Sequence, residues 1–174
     1  ALTLGGISEP AIARGLVDVR WPARFQRLAN GPLPDLLSPA CELWLDGGHN
    51  PAGGEALART LADLEDRVSR PLHLVVGMMG LKDIHGFLVH FRGLAKSVTA
   101  VPIPGAHEAP HAPEAVAGAA AGVGIPTITA TSVAAALRAL QRREPGSKRV
   151  LICGSLYLAG QVLAQQEGVE AQSN

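Results

Sequence analysis

The chain has 174 residues, enough for one ordinary domain, and its 15 Lys and Arg are balanced by 15 Asp and Glu. Zero formal charge and 3% aromatic residues argue against a general nucleic-acid binder and against a base-stacking platform. At 47% hydrophobic the sequence can build a core, yet no apolar run approaches a membrane span and no signal-peptide pattern is present.

Ser8-Glu9-Pro10 reads as an N-cap with proline in the first turn, opening a short helix through Leu16. Residues 1–20 are too few to fold alone and are expected to be a remnant of a preceding domain. Pro22 disfavours helix at Trp21, and Phe25 to Leu28 alternates as a strand does. Asn30-Gly31-Pro32, Pro34 and Pro39 keep the next stretch irregular. Cys41 to Leu45 is a second strand, antiparallel to the first. Apolar spacing predicts a helix from Gly54 to Arg67, a strand over Leu72 to Val76 and a helix from Ile84 to Leu94. A strand from Ser97 to Ile103, a helix from Pro113 to Ala121 and a strand from Ile125 to Ala130 come next. Thr131 or Ser132 caps a helix from Val133 to Arg143, Lys148 to Cys153 is the last strand, and Gly154-Ser155 opens the final helix. The tail from Gly168 is expected to fray.

Repeated strand-helix alternation with short links predicts an α/β, Rossmann-like three-layer sandwich. Its sheet holds about six mostly parallel strands, with one antiparallel N-terminal strand and helices on both faces. Cys41 and Cys153 both fall in strands expected to be buried, where cysteine acts as a small hydrophobe. With no C-x-x-C and no zinc spacing, the expected compartment is the cytoplasm.

In such a fold, ligands bind beyond the carboxyl ends of the strands. The first turn there carries Asp46, His49 and Asn50 ahead of a helix whose N-terminus favours anions. Asp46 suits a ribose hydroxyl or a water on a metal, or else it caps its own turn. The second, Gly77 to Lys82, combines close backbone approach with a point charge for a carboxylate or phosphate, and it is not a Walker A motif. At the last, Ser155 offers a hydroxyl or merely a cap. His73, His85 and His90 read as packing or surface residues. His107 and His111 lie in an exposed loop without metal spacing. No catalytic triad, activated cysteine or metal cluster can be read; the groups present bind an anion.

Trp21-Pro22-Ala23-Arg24-Phe25-Gln26, Leu45-Asp46-Gly47-Gly48-His49-Asn50-Pro51, Gly77-Met78-Met79-Gly80-Leu81-Lys82-Asp83 and Gly154-Ser155-Leu156-Tyr157-Leu158-Ala159-Gly160 stand in a characteristic order. They resemble the C-terminal domain of bifunctional folylpolyglutamate synthase/dihydrofolate synthase, within the Mur ligase superfamily. Ala23 stands where that family commonly has glycine, and Gly48 where it commonly has alanine.

The resemblance implies residues 21–174 as the C-terminal domain and residues 1–20 as a linker from a missing central ATPase domain. It implies ATP-dependent addition of L-glutamate to dihydropteroate or tetrahydrofolate through an acyl phosphate, with ATP and Mg2+ as cofactors and the magnesium ligands in the missing domain. On that analogy Arg24, Asp46, His49 and Asn50 bind ATP, while Lys82, Ser155 and His49 bind glutamate. This chain alone would be inactive and would contact neither nucleic acid nor membrane. Another Mur-type amino-acid ligase and a non-catalytic nucleotide- or amino-acid-binding module remain as alternatives.

Overall fold

A computed structural model describes residues 8–9 and 21–168. The helix expected from Ser8 to Leu16, the domain boundary at residue 20 and the frayed tail fall outside the described residues, apart from Ser8, Glu9 and Gly168.

Six strands form one sheet: β1 Gln26–Arg27, β2 Glu42–Leu45, β3 Leu72–Val76, β4 Ala95–Ala100, β5 Thr127–Thr129 and β6 Arg149–Cys153. Their order is β1-β2-β6-β3-β4-β5, with β1 antiparallel to β2 and every other pair parallel. Within residues 21–168 four α-helices connect β2 through β6, α1 Pro51–Arg67, α2 Ile84–Leu88, α3 Pro113–Gly122 and α4 Val133–Arg143, and α5 Leu156–Glu167 follows β6. Short 3-10 turns lie at Pro34–Leu36 and Val89–Phe91.

The central strands β3 and β6 are buried at all five positions, as strands covered on both faces must be. Alternate residues supply two cores. Leu72, Leu74, Val76, Leu151 and Cys153 pack with α1, α2 and α3, whereas Val75, Val150 and Ile152 pack with α4 and α5. The three-layer sandwich follows from that alternation. In α1 the buried residues are Gly54, Leu57, Ala58 and Leu61, and in α4 they are Val133, Ala136, Leu137 and Leu140. Both sets follow the i, i+3, i+4, i+7 stripe of a helix lying on a sheet.

Local rules moved several boundaries. Helix α1 begins at Pro51, three residues before Gly54, because the Asn50 side chain accepts the Gly53 N–H at 2.8 Å and proline is at home in the first turn. The helix expected to Leu94 ends at Leu88 and tightens into the 3-10 turn. Cys41 corrects one expectation: it precedes β2 and is half-buried, whereas Cys153 is buried. Burial pushes the Cys153 thiol well above its ordinary range, and the Asp46 carboxylate adds to that.

Candidate functional site

Strands β2, β6 and β3 are neighbours, and the helices that follow them leave in different directions. Helices α1 and α2, after β2 and β3, join the core on one face; α5, after β6, joins the core on the other. A crevice opens at the carboxyl ends where such connections diverge.

Glycines let the three corners meet there. Gly154 donates its N–H to the Gly48 carbonyl at 2.9 Å, and Gly77 donates to the Cys153 carbonyl at 3.3 Å. Gly154 has φ +103°, and a Cβ on it would stand 2.6 Å from the Gly77 carbonyl oxygen. A Cβ on Gly47 would meet Leu156 Cδ2 at 2.2 Å. No other residue type fits either position without movement. Helix α1 also comes close to α2: a Cβ on Gly54 would lie 2.5 Å from the Phe87 carbonyl oxygen.

Asp46, just past β2, is 7% exposed. Its Oδ1 accepts the Gly48 N–H at 2.6 Å and its Oδ2 accepts the Phe25 N–H at 2.7 Å. One carboxylate thus caps its own turn and ties the preceding chain to it. The Gly47 N–H donates to the Ala23 carbonyl at 2.8 Å, a second tie between the same two segments. Because β1 runs antiparallel to β2, the start of β1 lies against the end of β2, with Gln26 opposite Leu45. Arg24 is thereby carried to the same edge.

The Arg24 corner is unusual. Ala23 has φ +56° and Phe25 has φ +42°. The left-handed region costs a non-glycine residue roughly 1–2 kcal/mol. The bonds to Asp46 and Gly47 offset that cost, as do the Ala23 N–H given to Gln26 Oε1 at 3.0 Å and the Phe25 ring stacked on Trp44 at 4.5 Å. The glycine common before this arginine in the resembled family is the residue that suits such a φ. That substitution was the sequence's only sign of the corner, and the parts of Gln26 and Trp44 in it were not legible.

The remaining expected residues lie on the same edge. His49 Nδ1 is 2.8 Å from the Gly47 carbonyl, so Nδ1 carries the hydrogen and Nε2 of the neutral ring remains an acceptor. Asn50 is exposed and caps α1; Ser155, 2% exposed, caps α5 by accepting the Tyr157 N–H at 3.1 Å. Lys82 is exposed on the turn after β3. That turn is clasped by a loop the sequence left without a role. Gly80 donates to the Ala109 carbonyl at 3.1 Å, His111 N–H to the Met78 carbonyl at 2.9 Å, and His111 Nε2 lies 3.1 Å from the Lys82 carbonyl. Asp83 caps α2 by accepting the Gly86 N–H at 2.8 Å.

Capping and turn closure therefore occupy Asp46, Asn50 and Ser155 even though they stand on the ligand edge. Arg24 and Lys82 differ: among the described residues neither side chain has an ion-pair or hydrogen-bonding partner. Two exposed cations and the N-termini of α1 and α5 make an edge suited to anionic groups. Among the described residues it holds no nucleophile paired with a base. A cavity of about 410 Å³ lies elsewhere, between β1 and the 31–41 loop, where Arg27, Asp35, Ser38 and Cys41 are among its lining; none of the expected site residues is.

Residues 24–156 match the model of the Mur ligase, glutamate ligase domain. The folylpolyglutamate synthase of Lacticaseibacillus casei is 29% identical over 151 residues, 87% of this chain and 31% of that protein. A probable bifunctional folylpolyglutamate synthase/dihydropteroate synthase of Haloferax volcanii is 31% identical over 156 residues, 89% of this chain and 17% of that protein. The chain thus spans less than a third of the length of these relatives. Mycobacterium tuberculosis folylpolyglutamate synthase, solved in complex with ADP, superposes with TM-score 0.70 and 27% identity over 96% of this chain and 37% of that one.

Proposed function

The chain belongs to the Mur ligase family as its glutamate ligase domain, and from that premise we propose that it is the C-terminal domain of a folylpolyglutamate synthase/dihydrofolate synthase. In this reading it serves an ATP-dependent ligase of the cytoplasm that joins L-glutamate to dihydropteroate or tetrahydrofolate, and it is inactive without the remainder of the enzyme. One observation carries the reading: the corners at β1, β2, β3 and β6 converge on one edge and leave Arg24 and Lys82 without partners among the described residues.

ATP supplies the phosphoryl group that activates the folate carboxylate, and the glutamate amine then displaces phosphate to form the amide. What this domain contributes is placement and charge neutralisation. Arg24 binds the phosphates of ATP. Asp46 accepts a ribose hydroxyl with the lone pairs its two backbone bonds leave over. His49 and Asn50 stand between nucleotide and glutamate, and Lys82 and Ser155 take the glutamate carboxylates. Asp46 and Asp83 are both engaged by backbone N–H groups, and no group of three potential metal ligands occurs among the described residues. With the remaining lone pairs of Asp46 given to ribose, the described residues offer no set of three ligands here, and we assign the ligands of Mg2+ to the central domain of the full-length enzyme. Closure of that domain onto this edge assembles the whole site.

In the full-length enzyme, Arg24→Ala is expected to lower kcat/KM for ATP by roughly 10–10²-fold, the scale of one charge-assisted hydrogen bond to a phosphate. Turnover at the wild-type level in this variant, or in Asp46→Ala, refutes the nucleotide site. Comparing folates with muropeptides as acceptors separates this reading from another Mur-type ligase. Tight binding of ATP or glutamate to this chain alone, measured by calorimetry, favours a non-catalytic binding module.

A further inference from the structure

Among the described residues Arg24 has no hydrogen-bonding or ion-pair partner, so what the fold fixes of it is the backbone from which its side chain leaves. That backbone is held in a form it does not favour. Ala23 and Phe25, one on each side of Arg24, both lie at positive φ, +56° and +42°. Single left-handed residues without glycine persist where surrounding contacts over-determine them.

Three bonds pin this corner. Two reach across to the turn after β2: Phe25 N–H to Asp46 Oδ2 at 2.7 Å and Gly47 N–H to the Ala23 carbonyl at 2.8 Å. The third is local, from Ala23 N–H to Gln26 Oε1 at 3.0 Å. Gln26 is the first residue of β1, and its backbone is fixed by pairing with Leu45. Its side chain reaches back over Arg24 and gives the buried Ala23 amide the acceptor that no backbone carbonyl supplies. Ala23 is 3% exposed, so without Gln26 this N–H would be buried with no partner. The segment before Arg24 would then turn to find another acceptor, while Asp46 still held the segment after it.

We propose that Gln26 is a positioning residue for Arg24: it fixes the left-handed corner so that the arginine side chain leaves toward the nucleotide phosphates from a backbone that needs no further ordering. This inference rests on the nucleotide reading of Arg24 given above. A backbone corner already held in its bound geometry saves part of the ordering cost of binding. Loss of Gln26 therefore weakens binding of ATP while leaving glutamate and the chemical step alone.

The test uses the full-length enzyme with Gln26→Met, which keeps the volume and removes the acceptor, and Gln26→Glu, which keeps an acceptor oxygen at the same reach. Gln26→Met is expected to raise KM for ATP roughly fivefold, about the worth of one net hydrogen bond, with kcat and KM for glutamate unchanged. Gln26→Glu is expected to recover most of that loss. An unchanged KM for ATP in Gln26→Met, a parallel loss in both substrates and kcat, or a Gln26→Glu enzyme no better than Gln26→Met would each overturn the proposal. Arg24→Ala, measured alongside, separates the two levels. If Arg24→Ala uses ATP normally, the nucleotide reading falls and the proposal with it. If only Gln26→Met is normal, the proposal falls alone.

Discussion

At the amino ends of the strands, charged side chains are taken up by partners within the protein; at the carboxyl ends two cations are left over among the described residues. Arg149 is 2% exposed, and its guanidinium meets Glu42 at 2.8 Å, Glu65 at 3.4 Å and the Val68 carbonyl at 3.3 Å. Arg70 adds a contact to Glu42 at 3.6 Å. Lys148, 1% exposed, gives its ammonium to the Gly146 carbonyl, Gln141 and the Cys41 sulfur. His73 is held between Ser97 at 2.8 Å and Glu144 at 3.4 Å. At the other edge the structural ties are made mostly by glycine amides and the Asp46 carboxylate, while Arg24 and Lys82 face solvent alone. Fixing a corner with backbone leaves its side chains free for a ligand, whereas fixing it with side chains does not.

The sharpest test of this contrast is a pair of arginine substitutions. Arg149→Ala removes the close partner of the half-buried Glu42, leaving it the longer Arg70 and Trp44 contacts, and is expected to cost about 3–5 kcal/mol in urea denaturation. Arg24→Ala is expected to stay within about 0.5 kcal/mol of the parent, because an exposed side chain without partners contributes little to folding. Equal losses in the two variants would erase the distinction between the ends.

Acid comes next in size. Burial holds His73 down to about 4, against the opposing pull of the Glu144 carboxylate and with the help of Lys96, Arg143 and Lys148. The unfolded chain takes up its proton near the ordinary value of 6.5, so between about pH 6.5 and 4 the unfolded state binds more protons than the folded one. Stability therefore falls as pH drops through that window, by an amount on the order of 2–3 kcal/mol. Glu144 is held low, chiefly by its hydrogen bond from Lys96, and adds a loss in the same direction at the acid end. His73→Gln is expected to flatten the decline between pH 6.5 and 4 in a series of thermal melts. An unaltered slope would assign the acid sensitivity to other groups.

At the carboxyl edge the matching change is in backbone. Gly154→Ala forces a side chain onto φ +103° and against the Gly77 carbonyl, for roughly 1–3 kcal/mol. A variant as stable as the parent would mean that the corner accommodates a Cβ.

Length, neutrality and hydrophobic periodicity were sufficient to determine the class of fold, because burial on one face or two leaves its period in the residues whatever their order in space. The caps at Ser132 and Ser155 were legible because each rests on local chemistry within a few residues, whereas the cap at Asn50 was not, and it starts α1 three residues before the expected Gly54. The motifs carried by Arg24, Asp46, Lys82 and Ser155 were legible as well. The strand order was not, because nothing local says that β6 inserts between β2 and β3. Only that insertion makes the three glycine corners neighbours and sets the Gly154 amide on the Gly48 carbonyl. Tertiary structure also decided which polar residues are spent. Asp46 and Arg24 are 22 positions apart in sequence, and it takes the β1–β2 pairing to turn a carboxylate that sequence assigns to a ligand into one that first holds the segment presenting the arginine.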